Sequence, residues 1–242
     1  MSILARLKER AGLAVLVDPA RLALRQAEEL ARRAAGEGVA ALLLGNSFGP
    51  MDEEGVVARA LRRHAPAVPL LQFPASAAQL SPEVDAILLL TLVSGRNPQY
   101  LIEEHVRAVP FFARNPGVEA VSTAYCLVDG GRVTSVESVS QTRPLPADRP
   151  ELLYAHLRAA ALIGMRAAYV DAGSGAARAV APELVRAARE ACPDVLFVGG
   201  GIRTADGVRA AREAGADIVV VGTLLERSGA PSVRSLALAA RA

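Results

Sequence analysis

Short aliphatic runs recur along the chain, each followed by an alanine-rich segment whose charges fall at helical spacing. The runs are Leu13 to Val17, Val39 to Leu44, Val68 to Phe73, Ala86 to Thr91, Ala124 to Val128, Ala167 to Val170, Val195 to Val198 and Ile218 to Val221. Helices are predicted at Leu22 to Ala35, Glu53 to His64, Tyr100 to Phe112, Pro150 to Ile163, Pro182 to Ala191, Ala205 to Ala214 and Val233 to Ala240. This alternation predicts βαβ units and a parallel sheet. Eight such strands predict a closed (β/α)8 TIM barrel over an open sheet.

Two stretches break the rhythm. Between Phe73 and Asp85 lie Pro74 and Pro82 with little amphipathic pattern. The third helix is therefore predicted to be missing or replaced by an extended strand, which opens one side of the barrel. After the fifth run, Asp129-Gly130-Gly131 stands between the β-prone residues Val128 and Arg132 to Val136. That pattern predicts a hairpin, read as a flap over the barrel mouth.

The chain's 242 residues fit one barrel, so residues 1–242 are read as a single domain. Hydrophobic residues make up 52% and aromatics only 4%, so the core must be aliphatic, which suits parallel strands buried on both faces. Lys+Arg total 27 against Asp+Glu 25, with no polybasic run, which argues against a nucleic-acid partner. A sequence pI near 8.8 mildly favours anionic ligands. Cys126 and Cys192 lie in apolar contexts without metal-ligand spacing, and buried thiols in a reducing cytoplasm are expected. The first ten residues carry charges where a signal core would be apolar, and no apolar run approaches the ~18 residues of a membrane span. A soluble, cytoplasmic protein is expected, still able to touch a membrane surface transiently to handle a lipid.

Candidate chemistry gathers at the predicted strand ends. Val198-Gly199-Gly200-Gly201-Ile202-Arg203-Thr204 is a glycine run between a strand and a helix. Glycine lets backbone N–H groups approach a phosphate, and the helix N-terminus adds its dipole. Val221-Gly222-Thr223 ends the eighth strand and can supply the opposite wall. Tyr169-Val170-Asp171-Ala172-Gly173-Ser174-Gly175-Ala176 ends the sixth, with Ser174 able to donate to a phosphate and Asp171 able to accept from a substrate hydroxyl. One such corner can simply be a tight turn; three on one face of a barrel point to a phosphate site.

At the other end of the chain, Asp18 closes strand one before Pro19, and Ser47 follows Gly45-Asn46 after strand two. A carboxylate and a hydroxyl on neighbouring strand ends can form a half-site for Mg2+, although an Asp before Pro more often caps a helix. His64, His105 and His156 fall inside predicted helices, where surface or packing roles are expected. Arg96 and Asn97 either face the pocket or begin the next helix, and Tyr100, Phe111 and Phe112 either line an apolar groove or pack on the barrel.

With these motifs in place, the sequence resembles the geranylgeranylglyceryl phosphate synthase family, prenyltransferase barrels that include the heptaprenylglyceryl phosphate synthases. The matching stretches are Asp18-Pro19, Gly45-Asn46-Ser47, Phe73-Pro74, Ser94-Gly95-Arg96-Asn97-Pro98, Ala124 to Gly131, Tyr169 to Ala176, Gly199 to Arg203, and Gly215-Ala216-Asp217 to Gly222-Thr223. They run in family order over nearly the whole chain. The resemblance implies alkylation of the 3-hydroxyl of sn-glycerol 1-phosphate by a long prenyl diphosphate. It implies that Asp18 and Ser47 hold Mg2+, and that Tyr169, Gly173, Ser174, Gly175, Gly200, Gly201, Gly222 and Thr223 cradle glycerol phosphate. Asp171 would orient the hydroxyl and take its proton as the catalytic base. A homo-oligomer is implied as well.

This chain departs from the family pattern where a glutamate is usual and Asp171 stands, one methylene shorter, and where Ala20 and Arg21 follow the early Asp-Pro in place of an acidic residue and Lys. The competing readings are another phosphate-binding barrel enzyme, such as a sugar-phosphate isomerase or epimerase, and a non-catalytic phosphometabolite binder.

Overall fold

A parallel sheet keeps hydrogen-bonding edges exposed until its last strand reaches its first, and closure removes both. The computed structural model, which describes residues 1–46, 54–192, 194–228 and 230–241, closes in this way. Strands β1 (Gly12–Val17), β2 (Ala41–Leu44), β3 (Leu70–Gln72), β4 (Ala86–Leu92), β5 (Glu119–Leu127), β6 (Ala167–Asp171), β7 (Val195–Gly199) and β8 (Ile218–Val221) follow one another around the barrel. The seam pairs Gly12 with Ile218 and Val15 with Val221, all in parallel register.

The outer layer comprises α2 (Leu24–Gly36), α3 (Glu54–His64), α4 (Glu104–Arg114, entered by a π-helical turn at Gln99–Glu103), α6 (Pro150–Leu162), α7 (Pro182–Ala191), α8 (Ala205–Glu213) and α10 (Val233–Ala239). Two further helices, α5 (Ser135–Ser140) and α9 (Thr223–Ser228), follow β5 and β8. One core lies between strands and helices, with Leu30, Leu61, Leu153, Leu184 and Leu236 all at or below 2% exposure. A second fills the barrel interior with Ala14, Leu43, Leu71, Leu88, Phe197 and Val220.

The helix α1 (Ile3–Arg10) has no counterpart among the predicted elements. Its apolar positions 3, 4 and 7 form one helical face, and Ile3, Leu4 and Leu7 are buried in the interior cluster. Ser2 accepts the Ala5 N–H at its start, and the Ile3 N–H donates to Glu119 at 2.8 Å. It thus seals the end of the barrel where the strands begin.

Between Phe73 and Asp85 the third helix is absent, as expected, but no strand replaces it; a 3-10 turn at Ala77–Gln79 does. Ser76 caps that turn through the Ala78 N–H. The hairpin expected after β5 does not form. Both edges of β5 are already taken by β4 and β6, so a returning antiparallel strand has no partner in the sheet. Instead Asp129 accepts the Gly131 N–H in a tight turn, the chain forms α5, and Leu145 returns beside Val128 in parallel sense. Strand β5 also begins earlier than the apolar run does, because Glu119, Ser122 and Thr123 pair along β4 despite their polarity.

Two aspartates tie the lower ends of the strands together by the same device. Asp85, just before β4, accepts the Leu70 N–H and pairs with Arg62 of α3; Asp217, just before β8, accepts the Leu196 N–H and pairs with Arg189 of α7. Each carboxylate thereby fastens a strand, its neighbour and the helix that precedes that neighbour. Asp217→Ala should lower unfolding free energy by about 1.5–3 kcal/mol, the range for hydrogen bonds to a charged group, as read from urea denaturation.

Candidate functional site

Barrel strands deliver their last side chains and following loops to one face, where ligand sites of this architecture lie. On that face two pockets meet. The polar one is walled by Asp18, Arg21, Tyr169, Asp171, Ser174, Gly175, Gly200, Gly201, Gly222, Thr223 and Glu226, among others. The apolar one runs under the 73–85 stretch between β4 and α4, lined by Leu88, Leu90, Leu92, Tyr100, Ala108 and Val136. Asn46 and Phe73 line both, so the two pockets adjoin there.

Asp171 ends β6 and is 7% exposed. Its Oδ2 accepts the Tyr125 hydroxyl at 2.7 Å and its Oδ1 the Gly173 N–H at 2.7 Å. Burial pushes its pKa above the ordinary carboxylate range, because those two hydrogen bonds, which favour the charged form, do not offset desolvation. Tyr125 shares the environment, and burial together with the adjacent carboxylate drives its hydroxyl well above the usual tyrosine range. Around this pair the rings of Phe73, Tyr125, Tyr169 and Phe197 pack together, Phe73 on Tyr169 at 4.7 Å between centroids.

The glycine corners converge as expected, with one exception. Gly200 has φ +79°, and a Cβ there would lie 2.5 Å from Asp171 Oδ1, so the corner after β7 can pass the carboxylate only as glycine. Gly173, expected on the substrate wall, lies behind it. Its N–H is already spent on Asp171, and a Cβ there would strike Thr134 at 2.6 Å. Its function is to hold the turn that presents Ser174 and Gly175. Ser174 Oγ stands 3.3 Å from Thr223 Oγ1, which closes the ring between the corners after β6 and β8. Tyr169 is buried beneath the pocket, stacked between Phe73 and Phe197.

Asp18 reaches the same pocket from β1. Its Oδ1 accepts the Ala20 N–H, so it caps the following turn while also facing the pocket, and burial raises its pKa against the opposing pull of that N–H and Arg21. Ser47 lies outside the described residues. Arg21 reaches across the mouth, its guanidinium 3.4 Å from Asp18, Ser174 and Glu226. Arg203 also borders the pocket, but its guanidinium is held by the carbonyls of Ala176 and Ala177.

Several participants escape a reading of the sequence. Glu226 sits in a short helix without a motif, Tyr125 falls inside an apolar strand run, and Asn46 has no partner near it in sequence that would mark its role. Of the doubtful aromatics, Tyr100 lines the groove whereas Phe111 and Phe112 pack on the outer core. The histidines behave as packing residues: His105 faces the groove but is engaged with the Leu90 carbonyl, and His156 is engaged with that of Leu152. The buried carboxylate of Glu104 at the groove is paired as well. Burial would raise its pKa, but the Ala77 N–H, Gln99, Ser76 and Arg107 together hold it below the ordinary range.

Comparison with known proteins agrees with this geometry. The model of the PcrB family matches residues 6–240. The chain is 37% identical over 234 residues to the geranylgeranylglyceryl phosphate synthase of Korarchaeum cryptofilum, covering 96% of this chain and 95% of that one. It is 36% identical to the protein of the same name from Spirosoma linguale, over 83% and 80% of the two chains. In fold it is similar to (S)-3-O-geranylgeranylglyceryl phosphate synthase from Thermoplasma acidophilum, solved in complex with sn-glycerol-1-phosphate, with a TM-score of 0.89 at 24% identity over 98% and 96% of the chains.

Gly200→Ala should remove detectable binding of inorganic phosphate, followed by phosphorus NMR, and should also lower the melting temperature, because its Cβ at positive φ meets Asp171 and the backbone of Ala172 and Gly173. Unchanged phosphate binding would exclude the β7 corner from the anion pocket.

Proposed function

The chain belongs to the PcrB family, and from that premise we propose that it alkylates the 3-hydroxyl of sn-glycerol 1-phosphate with a long prenyl diphosphate, geranylgeranyl diphosphate being the first candidate. The observation that carries this reading is a polar, glycine-walled pocket holding a buried carboxylate and adjoining an apolar groove at Asn46 and Phe73. An isomerase or epimerase acting on a sugar phosphate has no use for the groove, and a simple phosphate binder has no use for the carboxylate.

In this reading the phosphate of glycerol phosphate rests on Ser174, Gly175, Gly200, Gly201, Gly222 and Thr223, and its 3-hydroxyl points toward Asp171. The hydroxyl oxygen attacks C1 of the prenyl chain, the bond from C1 to the diphosphate oxygen breaks, and the hydroxyl proton passes to Asp171. The rings of Phe73 and Tyr169 border the reacting carbon and keep water from it. Asp18 presents a hard oxygen donor to the same pocket and suits Mg2+, which takes few protein ligands when a diphosphate supplies the rest. Asp18 and, as the family resemblance implies, Ser47 would hold the ion, and the ion would supply charge neutralisation on the departing diphosphate.

The shorter Asp171 is consistent with a base. Both of its hydrogen bonds come from donors that stabilise the ionised form, and the Tyr125 hydroxyl keeps the carboxylate oriented.

No helix among the described residues is long and apolar enough to cross a membrane. Cytoplasmic placement, transient contact with a membrane surface and a homo-oligomer complete the reading. The exposed apolar row of Ile102, Val106 and Val109, which is carried on α4 and its entering turn, supports such contacts.

Purified protein given radiolabelled sn-glycerol 1-phosphate and geranylgeranyl diphosphate should yield organic-extractable label only with Mg2+. Asp171→Asn should abolish turnover and leave glycerol phosphate affinity within a few fold. Because burial raises the pKa of Asp171, turnover should fall with decreasing pH already above the ordinary carboxylate range. Tyr125→Phe removes a hydrogen bond that favours the charged carboxylate and should move that acidic limb to still higher pH. A limb that stays in place would show that Tyr125 does not govern the base.

A further inference from the structure

Asn46, just beyond β2, lines both pockets at the point where they join, yet is only 6% exposed. The orientation of its amide follows from its neighbours. Gln79 Oε1 accepts the N–H groups of Ala75 and Ser76 at 2.7 and 3.3 Å, so that end of the Gln79 amide must be the oxygen. Its Nε2 then faces Asn46 and donates to Oδ1 at 3.0 Å. The backbone carbonyl of Gln79 is itself held by Gln72, whose Oε1 accepts the Ser81 N–H, so the chain of amides is anchored at β3. The Asn46 Nδ2 is left as a buried donor with no partner among the described residues.

Buried donors are almost always paired, and an unpaired one beside a pocket points to an acceptor brought by a ligand. We propose that Asn46 Nδ2 donates to an oxygen of the prenyl diphosphate, on the phosphate nearest the hydrocarbon chain. The proposal rests on the prenyltransferase reading above. At the junction the hydrocarbon lies toward Leu88 and Leu90 and the diphosphate toward Asp18, so the acceptor that meets Asn46 is the phosphate joining the two. A neutral amide suits this place, since it contributes a donor as negative charge builds on the leaving group and adds no buried charge of its own. The loop that replaces the third helix thereby does two things: it roofs the groove, and through Gln79 it turns Asn46 to face the substrate.

The test compares three ligands by calorimetry on the intact protein with Mg2+: geranylgeranyl S-thiolodiphosphate, in which the bond to the prenyl carbon does not ionise, geranylgeraniol, and sn-glycerol 1-phosphate. Asn46→Ala should weaken the thiolodiphosphate about ten- to a hundredfold, the worth of one hydrogen bond to a charged acceptor. Geranylgeraniol and glycerol phosphate should bind as before. Asn46→Asp keeps the volume and the bond from Gln79 but offers an acceptor where a donor is needed, and it should weaken the thiolodiphosphate further. Equal affinity of the parent and both variants for the thiolodiphosphate overturns the proposal. A parallel loss for all three ligands also overturns it, since that marks Asn46 as structural support. If the parent protein binds neither prenyl ligand, the prenyltransferase reading falls and takes this inference with it.

Discussion

The buried carboxylate of Asp171 is the constraint around which the active face is arranged. An ionisable group at 7% exposure is tolerable only if its oxygens are satisfied, and here Tyr125 from the neighbouring strand and the Gly173 N–H do so. Satisfying it shapes the rest. The Gly173 bond folds the turn that presents Ser174 and Gly175, and the tight passage at Oδ1 demands glycine at position 200. Position, turn and neighbouring corner are thus consequences of one desolvated group, and the same burial that makes it costly raises its proton affinity.

A second organising feature is a subtraction. Among the described residues seven runs of helix cover the barrel wall, and where the eighth would lie a capped 3-10 turn crosses instead. A helix there would bury β4 against side chains. The turn leaves β4 to line an apolar groove, with Leu88, Leu89 and Leu90 along it and Tyr100 and Ala108 on the flank. The turn is not loose: Glu104 accepts from Ser76 and Ala77, and Gln79 is bonded to Gln72, Asn46 and two backbone N–H groups. Polar interactions do here the fastening that apolar packing does under the other helices.

The two ends of the barrel divide the work. At the lower end α1 plugs the interior and Asp85 and Asp217 fasten strand to strand through charged hydrogen bonds, so stability is concentrated away from the site. At the upper end the arginine and carboxylates of the polar pocket face open space, and Arg21 rests between acidic partners that an anionic ligand would compete with. That asymmetry lets the upper loops serve chemistry without carrying the fold.

The sequence by itself determined the strand–helix alternation, hence the barrel, because parallel strands buried on both faces have to be aliphatic and leave that mark directly. It determined the missing third helix, since two prolines and the lack of an amphipathic stripe cannot be reconciled with one. It also determined most of the polar pocket, because glycine at a strand end is forced by close approach and is visible as a residue type. What it did not carry was anything set by contact between distant segments. The pairing of Tyr125 with Asp171, the convergence of Asn46 and Gln79, the entry of Glu226 into the pocket and the withdrawal of Gly173 behind it all link side chains from different strands or loops. The supposed hairpin after β5 failed for the same reason: its local turn chemistry was sound, but whether a strand can form depends on a free edge, and the closed barrel had left none. Local residue types record the backbone's needs; which side chains meet is decided only when the eight strands close.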